Sequence, residues 1–165
     1  MNITLIGMPA SGKSCMGRAL SKKLGMTYID TDKLIEAEVG ESLSSIISNR
    51  GIEEFKRLEE NTLKAIEGDG LVISTGGSAI YYPDAMKHLK SISRVIYLYV
   101  GFDVIKERLG DFSKRGVVLK PGYTVQDLFI ERAPLYQKYA DIIINCNGTE
   151  YRKYQTDILN ILKNS

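Results

Sequence analysis

A phosphate-binding motif near the N-terminus constrains the fold of this chain more than any other feature. Residues 7–14 read Gly-Met-Pro-Ala-Ser-Gly-Lys-Ser and match the pattern G-x-x-x-x-G-K-[ST], with a strand-like apolar run before it and a helix-period stretch after it. Glycine at positions 7 and 12 lets the backbone turn its amide groups inward around an anion, and the start of the following helix adds a positive dipole end. The motif therefore predicts a phosphate site at the end of the first strand.

Different residues of this P-loop are suited to bind a nucleoside triphosphate and its metal ion. Lys13 supplies a mobile cation for the β- and γ-phosphates, and the hydroxyl of Ser14 is a hard oxygen ligand suited to Mg²⁺. We therefore predict that ATP binds here with Mg²⁺ as cofactor. A chance Gly-rich turn is disfavoured, because the strand and the helix that the motif requires are both present. The ATP-binding residues predicted from the motif are Ala10, Ser11, Gly12, Lys13, Ser14 and Cys15.

Apolar strand-like runs alternate with longer helix-period stretches along the chain. Because the strands read as apolar on both faces, the pattern predicts a parallel sheet covered on two sides, in one α/β domain that spans residues 1–165. The irregular segment 110–123, rich in glycine and basic residues, is typical of a lid or binding loop. The predicted strands are 2–6, 27–29, 71–74, 94–100 and 141–145. The predicted helical stretches are 13–24, 31–66, 102–109, 124–139 and 149–163.

Charge and composition argue against several classes of partner. A net charge of +2 over 165 residues is too small to indicate a nucleic-acid surface, and no apolar run approaches the roughly 20 residues of a membrane span. Cys15 and Cys146 lack metal-ligand spacing, and the one histidine, His88, lies in a polar stretch that predicts a surface helix. No export signal is apparent. We expect a cytoplasmic monomer with small-molecule partners, and neither a nucleic acid nor a membrane.

Two acids follow the second predicted strand, in the sequence Tyr28-Ile29-Asp30-Thr31-Asp32. At the carboxyl end of a strand beside the P-loop, such acids face the nucleotide crevice. Phosphoryl transfer needs a fixed metal shell and an oriented attacking hydroxyl, so two carboxylates have separate tasks there. The alternative is that Asp30 and Asp32 cap the following helix with the help of Thr31. The pattern leaves both interpretations open.

Further motifs, in a fixed order, make the chain resemble the shikimate kinase family. After the P-loop and the acid pair come the helix Phe55…Glu59, the turn Gly76-Gly77 and the stretch Arg132-Ala133-Pro134-Leu135-Tyr136. The resemblance implies a fold of the nucleoside-monophosphate-kinase type, with a five-stranded parallel sheet, a helical substrate-binding region at about 31–60 and a lid at about 110–123. It also implies transfer of the γ-phosphoryl group of ATP to the 3-hydroxyl of shikimate, a step on the route to chorismate and the aromatic amino acids.

The resemblance also implies roles on the acceptor side. Asp30 would help to hold Mg²⁺ through water, and Asp32 would contact the ring hydroxyls of the acceptor and assist the attacking one. The turn Gly76-Gly77 would lie against the substrate, to which Gly77 would lend a backbone amide. Arg132 would bind the acceptor carboxylate. Taken alone, Arg132 has a plainer interpretation as a surface ion pair with Glu131 or a neighbouring residue.

Two arginines near the predicted lid complete the implied site. Arg115 would reach the transferring phosphate, and Arg108, seven residues earlier, would lie against the adenine. A guanidinium suits both tasks, because it forks onto phosphate oxygens or stacks on an aromatic face. Without the resemblance, Arg115 would be read as a solvated loop charge. The predicted catalytic residues are thus Lys13, Asp32 and Arg115.

The chain departs from the family pattern at three places. Lys56 stands where the family carries an arginine that grips the carboxylate, and lysine lacks the flat two-pronged donor. Ser78 replaces the third glycine of the Gly turn, where its side chain would either narrow the pocket or offer a hydrogen bond. The lid reads Arg-Gly-Val-Val at 115–118 instead of Arg-Pro-Leu-Leu. The predicted substrate-binding residues are Asp32, Lys56, Gly76, Gly77 and Arg132.

These departures keep a second hypothesis open. A kinase for another small hydroxylated acceptor, such as a sugar acid, would tolerate a changed acceptor pocket behind an intact nucleotide site. A regulatory module that binds nucleotide without turnover is disfavoured, because binding alone does not require the acids and the lid arginine together.

Overall fold

The fold is a five-stranded parallel sheet with its first strand in the middle. Residues 1–110 and 120–164 are described in the structure, which is a computed structural model. The sheet order is β2-β3-β1-β4-β5, and every neighbouring pair is parallel. The predicted five-stranded sheet is confirmed, with strand ends within one residue of those predicted. The strands are β1 (Asn2–Ile6), β2 (Thr27–Asp30), β3 (Leu71–Ser74), β4 (Ser93–Tyr99) and β5 (Ile142–Asn145).

Helices connect the strands and pack against the sheet in a three-layer α/β/α arrangement. The predicted helical stretch 31–66 is divided into three helices by Gly40 and Gly51, which have φ angles of 77° and 86°. A helix at Pro83–Ile92, for which the sequence indicated only a helical His88, fills the connection from β3 to β4. In the described residues the helices are α1 (Lys13–Leu24), α2 (Thr31–Val39), α3 (Leu43–Arg50), α4 (Ile52–Lys64), α5 (Pro83–Ile92), α6 (Phe102–Leu109), α7 (Val125–Tyr139) and α8 (Tyr151–Lys163), with a short 3₁₀ turn at Ala79–Tyr81.

Two apolar clusters hold the molecule together. The main core joins the sheet to helices on its faces, and β1 and β3 are buried along their whole lengths, as expected of inner strands of a parallel sheet. The smaller cluster is formed by Ile35, Ile46 and Phe55, one each from α2, α3 and α4. The region predicted to bind the acceptor therefore has a small core of its own, attached to the sheet through α4, whose Leu63 reaches the main core.

Length and hydropathy decide whether a helix could cross a membrane. None of the helices in the described ranges is both long and apolar enough to cross a membrane.

Candidate active site

The P-loop connects β1 to α1, and its backbone surrounds the side chain of Lys13. Gly12 has a φ of 93°, and Ala10 is the one non-glycine among the described residues with positive φ, at 63°. The Lys13 ammonium donates to the carbonyls of Gly7 at 2.9 Å and Met8 at 2.8 Å. Burial lowers the pKa of Lys13 to about 8, although the nearby Asp32 carboxylate works in the opposite direction.

Asp30 caps helix α2 and also contacts the P-loop. Its Oδ1 accepts from the backbone amides of Asp32 at 3.1 Å and Lys33 at 3.4 Å, so it caps α2. Its Oδ2 accepts from the Ser14 hydroxyl at 3.4 Å. Thr31 does not take part in the cap, since its hydroxyl accepts from the amide of Gly76 at 3.3 Å. The two predicted metal-binding side chains therefore lie next to each other.

Asp32 is not a capping residue; it lies in the first turn of α2, and its carboxylate lines a cavity. Burial is the main reason that the pKa of Asp32 rises to about 6, and the negative charges of Glu59 and Asp30 raise it further. The Lys13 ammonium acts in the opposite direction. The carboxylate is thus in the electrostatic field of both the P-loop and a second buried acid.

One cavity of about 940 Å³ brings most of the predicted residues together. Of the others, Ser11 is a buried residue of the P-loop, and Arg108 donates from Nη1 to the carbonyl of Ala10 at 3.3 Å. Arg115 and most of the predicted lid lie outside the described residues. The predicted residues that line the cavity are Ala10, Gly12, Lys13, Ser14, Cys15, Asp30, Asp32, Lys56, Gly76, Gly77 and Arg132.

Both residues of the turn Gly76-Gly77 are glycine because neighbouring side chains leave no room for a Cβ there. A Cβ on Gly76 would lie 2.6 Å from Oε1 of Glu59 and 3.0 Å from Oδ1 of Asp32. A Cβ on Gly77 would lie 2.8 Å from Nη1 of Arg132. Two carboxylates and a guanidinium therefore pack directly against this turn, and any side chain there would displace them.

Glu59 is a site residue for which the sequence analysis assigned no role. It is 1% exposed, and its carboxylate accepts from the Ser78 hydroxyl at 2.7 Å and from the Tyr82 hydroxyl at 2.7 Å. Burial raises the pKa of Glu59, while these hydrogen bonds and the charge of Arg132 act against the rise. The signal was present in the spacing, because Glu59 lies one helical turn after the buried Phe55 and on the same face of α4.

Arg132 is a buried cation that faces the cavity. Its residue is 5% exposed, and its Nε donates to the Tyr81 hydroxyl at 3.3 Å. The ion pair with Glu131 considered from the sequence is wrong, because Glu131 pairs instead with Lys120 at 3.2 Å. Within the described part of the chain, Arg132 forms no ion pair with a carboxylate. A buried, unpaired guanidinium at a cavity wall is suited to an anionic ligand.

Comparison with known proteins identifies the family. The family model described as shikimate kinase matches residues 9–163. The chain belongs to the shikimate kinase family. A shikimate kinase from Mycobacterium leprae is 38% identical over 147 residues, which cover 87% of this chain and 73% of the relative. One from Francisella philomiragia is 34% identical over 167 residues, which cover 98% of this chain and 94% of the relative.

Solved structures of the shikimate kinase family have the same fold. The shikimate kinase from Acinetobacter baumannii in complex with shikimate superposes with a TM-score of 0.88 at 31% identity, and the match covers 99% of this chain and 94% of that one. The enzyme from Aquifex aeolicus gives a TM-score of 0.87 at 32% identity, with coverages of 99% and 96%. The similarity therefore includes the whole sheet and the helices around the cavity.

The two acceptor-side departures from the shikimate kinase pattern have different surroundings. The Lys56 side chain is 51% exposed and lines the cavity, but its ammonium pairs with Glu53 at 3.4 Å. The neighbouring Arg57 pairs with Glu54 at 2.7 Å and is not among the cavity-lining residues of the described chain. The Ser78 hydroxyl is directed at Glu59, so of the two effects considered for this serine, the hydrogen bond is the one observed.

Proposed function

We propose that this protein transfers the γ-phosphoryl group of ATP to the 3-hydroxyl of shikimate, giving shikimate 3-phosphate and ADP. The proposal rests above all on Arg132, the unpaired guanidinium on the wall of the cavity that also contains Lys13 and Asp32. An acceptor with a carboxylate at one end and a hydroxyl at the other would connect these groups. Membership of the shikimate kinase family and the shikimate complex of the Acinetobacter baumannii relative support shikimate as that acceptor.

Asp32 is the proposed acid–base group. A new P–O bond forms from the 3-hydroxyl oxygen to the γ-phosphorus as the bond from that phosphorus to ADP breaks, and the bonding electrons leave with ADP. The hydroxyl proton passes to the Asp32 carboxylate, whose pKa of about 6 leaves it mostly ionised at neutral pH yet able to accept a proton. Lys13, and in our proposal Arg115 of the lid, offset the negative charge on the transferring group.

Mg²⁺ fits the residues present. Ser14 and Asp30 offer hard oxygen atoms 3.4 Å apart, and no group of three or more His, Cys, Asp or Glu side chains suited to a metal ion occurs in the described residues. This donor set suits a cation that keeps most of its water and binds mainly to substrate phosphates. We propose that Ser14 binds the ion directly and Asp30 through water. When bound, it would neutralise phosphate charge.

A kinase for another hydroxylated acid is the second candidate, and the exposure of Lys56 favours it. Because the Lys56 ammonium pairs with Glu53 on the solvent side, Arg132 is the only buried cation of the predicted carboxylate pair. A pocket with one such anchor discriminates less sharply among carboxylates than one with two.

We also propose that the enzyme is cytoplasmic. We propose that it acts as a monomer, since one chain supplies every group of the proposed site that the structure describes.

The deciding experiment measures ADP release with shikimate and with a panel of sugar acids. We expect shikimate to stimulate ADP release and ³¹P NMR to show a phosphate ester at the 3-position. Removal of Mg²⁺ with a chelator should stop turnover. If millimolar shikimate gives no stimulation while the protein is shown to bind ATP, the proposal is wrong. Turnover of a sugar acid in its place would establish the second candidate.

A further inference from the structure

Tyr81 contacts the buried guanidinium in two ways. It is the last residue of the 3₁₀ turn Ala79–Tyr81, which Ser78 separates from the Gly76-Gly77 turn. Its hydroxyl accepts a hydrogen bond from Nε of Arg132 at 3.3 Å, and its ring centroid lies 5.2 Å from Cζ of the same side chain. Both distances are in the range in which these contacts are favourable, the first near its outer limit. Tyr81 itself also lines the cavity.

The other aromatic residues around Arg132 have partners of their own, although the Tyr136 hydroxyl also interacts with the Arg132 side chain. Tyr136, one helical turn later on α7, donates its hydroxyl proton to the carbonyl of Gly77 at 2.6 Å. Tyr82 donates to Glu59, and the ring of Tyr123 lies under the ammonium of Lys120, 5.1 Å from its centroid. Among the described side chains, Tyr81 is thus the aromatic residue whose ring and hydroxyl both contact the guanidinium.

The orientation of the guanidinium decides what it can bind. An arginine binds a carboxylate most strongly through two parallel N–H groups, and its long side chain loses rotamer freedom when it is fixed for that task. With Nε engaged by Tyr81, Nη1 and Nη2 are the two nitrogens that can offer parallel N–H groups to a ligand. The Gly77 backbone packs against Nη1, since a Cβ on that residue would lie 2.8 Å from it, and limits rotation on that side.

We propose that Tyr81 is a positioning residue that presents the Nη1 and Nη2 edge of Arg132 to the carboxylate of the acceptor. This inference rests on the proposed function insofar as the acceptor carries a carboxylate. Tyr81 does not touch the reacting atoms in this scheme. It acts through Arg132, so its loss should weaken acceptor binding and leave the phosphoryl-transfer step nearly intact.

Two substitutions separate the hydroxyl from the ring. Tyr81→Phe removes the hydrogen bond and should raise the KM for shikimate about threefold to tenfold, because a contact at 3.3 Å belongs at the weak end of charged hydrogen bonds. Tyr81→Leu also removes the aromatic face and should raise that KM about tenfold to fiftyfold. For both variants, kcat and the KM for ATP should stay within about twofold of wild type.

Tyr139 provides the matched control. Its ring lies under the Lys138 ammonium, 5.2 Å from the centroid, on the same helix as Arg132 but outside the residues found to line the cavity. Tyr139→Phe and Tyr139→Leu should leave the KM for shikimate unchanged. An equal rise of the KM for shikimate in the Tyr81 and Tyr139 variants would overturn the proposal. A loss of kcat with unchanged KM in the Tyr81 variants would overturn it as well.

The methyl ester of shikimate tests whether the effect depends on the acceptor carboxylate. Affinity measured by calorimetry should fall for the acid in the Tyr81 variants, whereas the already weaker affinity for the ester should not fall further. If acid and ester lose affinity equally, Tyr81 shapes the pocket in some other way and does not position Arg132.

A measurement without any acceptor keeps the two proposals distinguishable. The Nε–H resonance of Arg132, assigned by its disappearance in Arg132→Lys, should exchange slowly with water in the wild type and in Tyr139→Phe. In Tyr81→Phe, this exchange should be at least about tenfold faster, because the proton has lost its acceptor. Unchanged exchange would refute the role of Tyr81, whether or not shikimate proves to be the substrate.

Discussion

The hydroxyl of Ser78 lies 2.7 Å from both carboxylate oxygens of Glu59 and joins the residue after the Gly76-Gly77 turn to helix α4. Glu59 has no cation as a hydrogen-bond partner in the described residues; hydroxyl groups of Ser78 and Tyr82 take that place. A buried carboxylate held in this way depends strongly on each donor. Ser78, a departure from the family pattern, is therefore a structural support for the wall of the proposed acceptor site.

Ser78→Ala should destabilise the protein by about 1–3 kcal/mol, because Glu59 loses one of its hydroxyl donors while it stays buried. Urea unfolding monitored by circular dichroism measures this loss. The matched control is Ser91→Ala, which removes an exposed hydroxyl that donates to the carbonyl of His88, with an expected change below about 0.5 kcal/mol. In a Glu59→Gln background, the cost of Ser78→Ala should shrink. Equal costs in both backgrounds would show that Ser78 does not act through Glu59.

Lys56→Ala should raise the KM for shikimate by less than about threefold, because its half-exposed ammonium already pairs with Glu53 and exposed ion pairs are weak. Lys56→Arg should leave this KM equal or lower, since a guanidinium offers two parallel donors. Arg132→Ala, by contrast, should raise it about a hundredfold.

The control for Lys56 is Arg57→Ala, since this neighbour pairs with Glu54 and is not among the described residues that line the cavity. Steady-state kinetics with each variant give the comparison. A rise of a hundredfold in Lys56→Ala would mean that the ammonium leaves Glu53 and grips the acceptor.

Lys13→Ala should lower kcat by at least about a hundredfold, because the side chain supplies the mobile cation of the P-loop. Lys13→Arg should be similarly impaired, since the ammonium is enclosed by carbonyls at 2.8 and 2.9 Å, where a guanidinium does not fit. ADP release in the coupled assay measures both, and the exposed Lys22 on the same helix is the control. Full activity in Lys13→Ala would remove the basis for the nucleotide site.

Asp141 links helix α5 to the sheet and should make stability depend on acid pH. Its carboxylate accepts from Lys90 at 2.6 Å and from the backbone amide of Val95 at 2.8 Å. Partial burial works against ionisation, but these hydrogen bonds outweigh it and hold the pKa of Asp141 below its usual range. The ionised form is thus favoured in the folded state, so the stabilisation is present at neutral pH and is lost as pH falls through the folded pKa.

Asp141→Asn should therefore cost about 1–2 kcal/mol at pH 7, and the difference from wild type should shrink below about pH 4. Unfolding free energies measured in urea across this range provide the comparison, with the exposed Asp157→Asn as control. A cost that stays constant down to pH 2 would exclude ionisation of Asp141 as its origin.

The fold was predictable where local patterns decide it. The P-loop requires a strand before and a helix after, and both are present as β1 and α1. The position of β1 in the middle of the sheet was not predictable in the same way, because strand order depends on how distant segments pair. Helix α5 was not among the predicted stretches, although Pro83 at its start and the apolar face formed by Ala85, Met86 and Leu89 are helix signals in the sequence.

The same distinction holds for the candidate site. The residues that follow one another along the chain, such as Ser14 after Lys13 and Asp32 after Asp30, were proposed from their spacing, and they line one cavity. The contacts between Ser78 and Glu59 and between Tyr81 and Arg132 join segments 19 and 51 residues apart. Such contacts depend on the packing of helices against the sheet, which no local pattern encodes.

The central place of β1 has a consequence for synthesis on the ribosome. Its two neighbours in the sheet, β3 and β4, both emerge after it, and β4 does not begin until Ser93. At roughly 5–20 residues per second, the first strand waits several seconds with both edges unpaired. The P-loop is encoded first but acquires its supporting sheet late, so a nascent chain that stops before β4 should not retain nucleotide and is a natural client for chaperones that shield apolar strands.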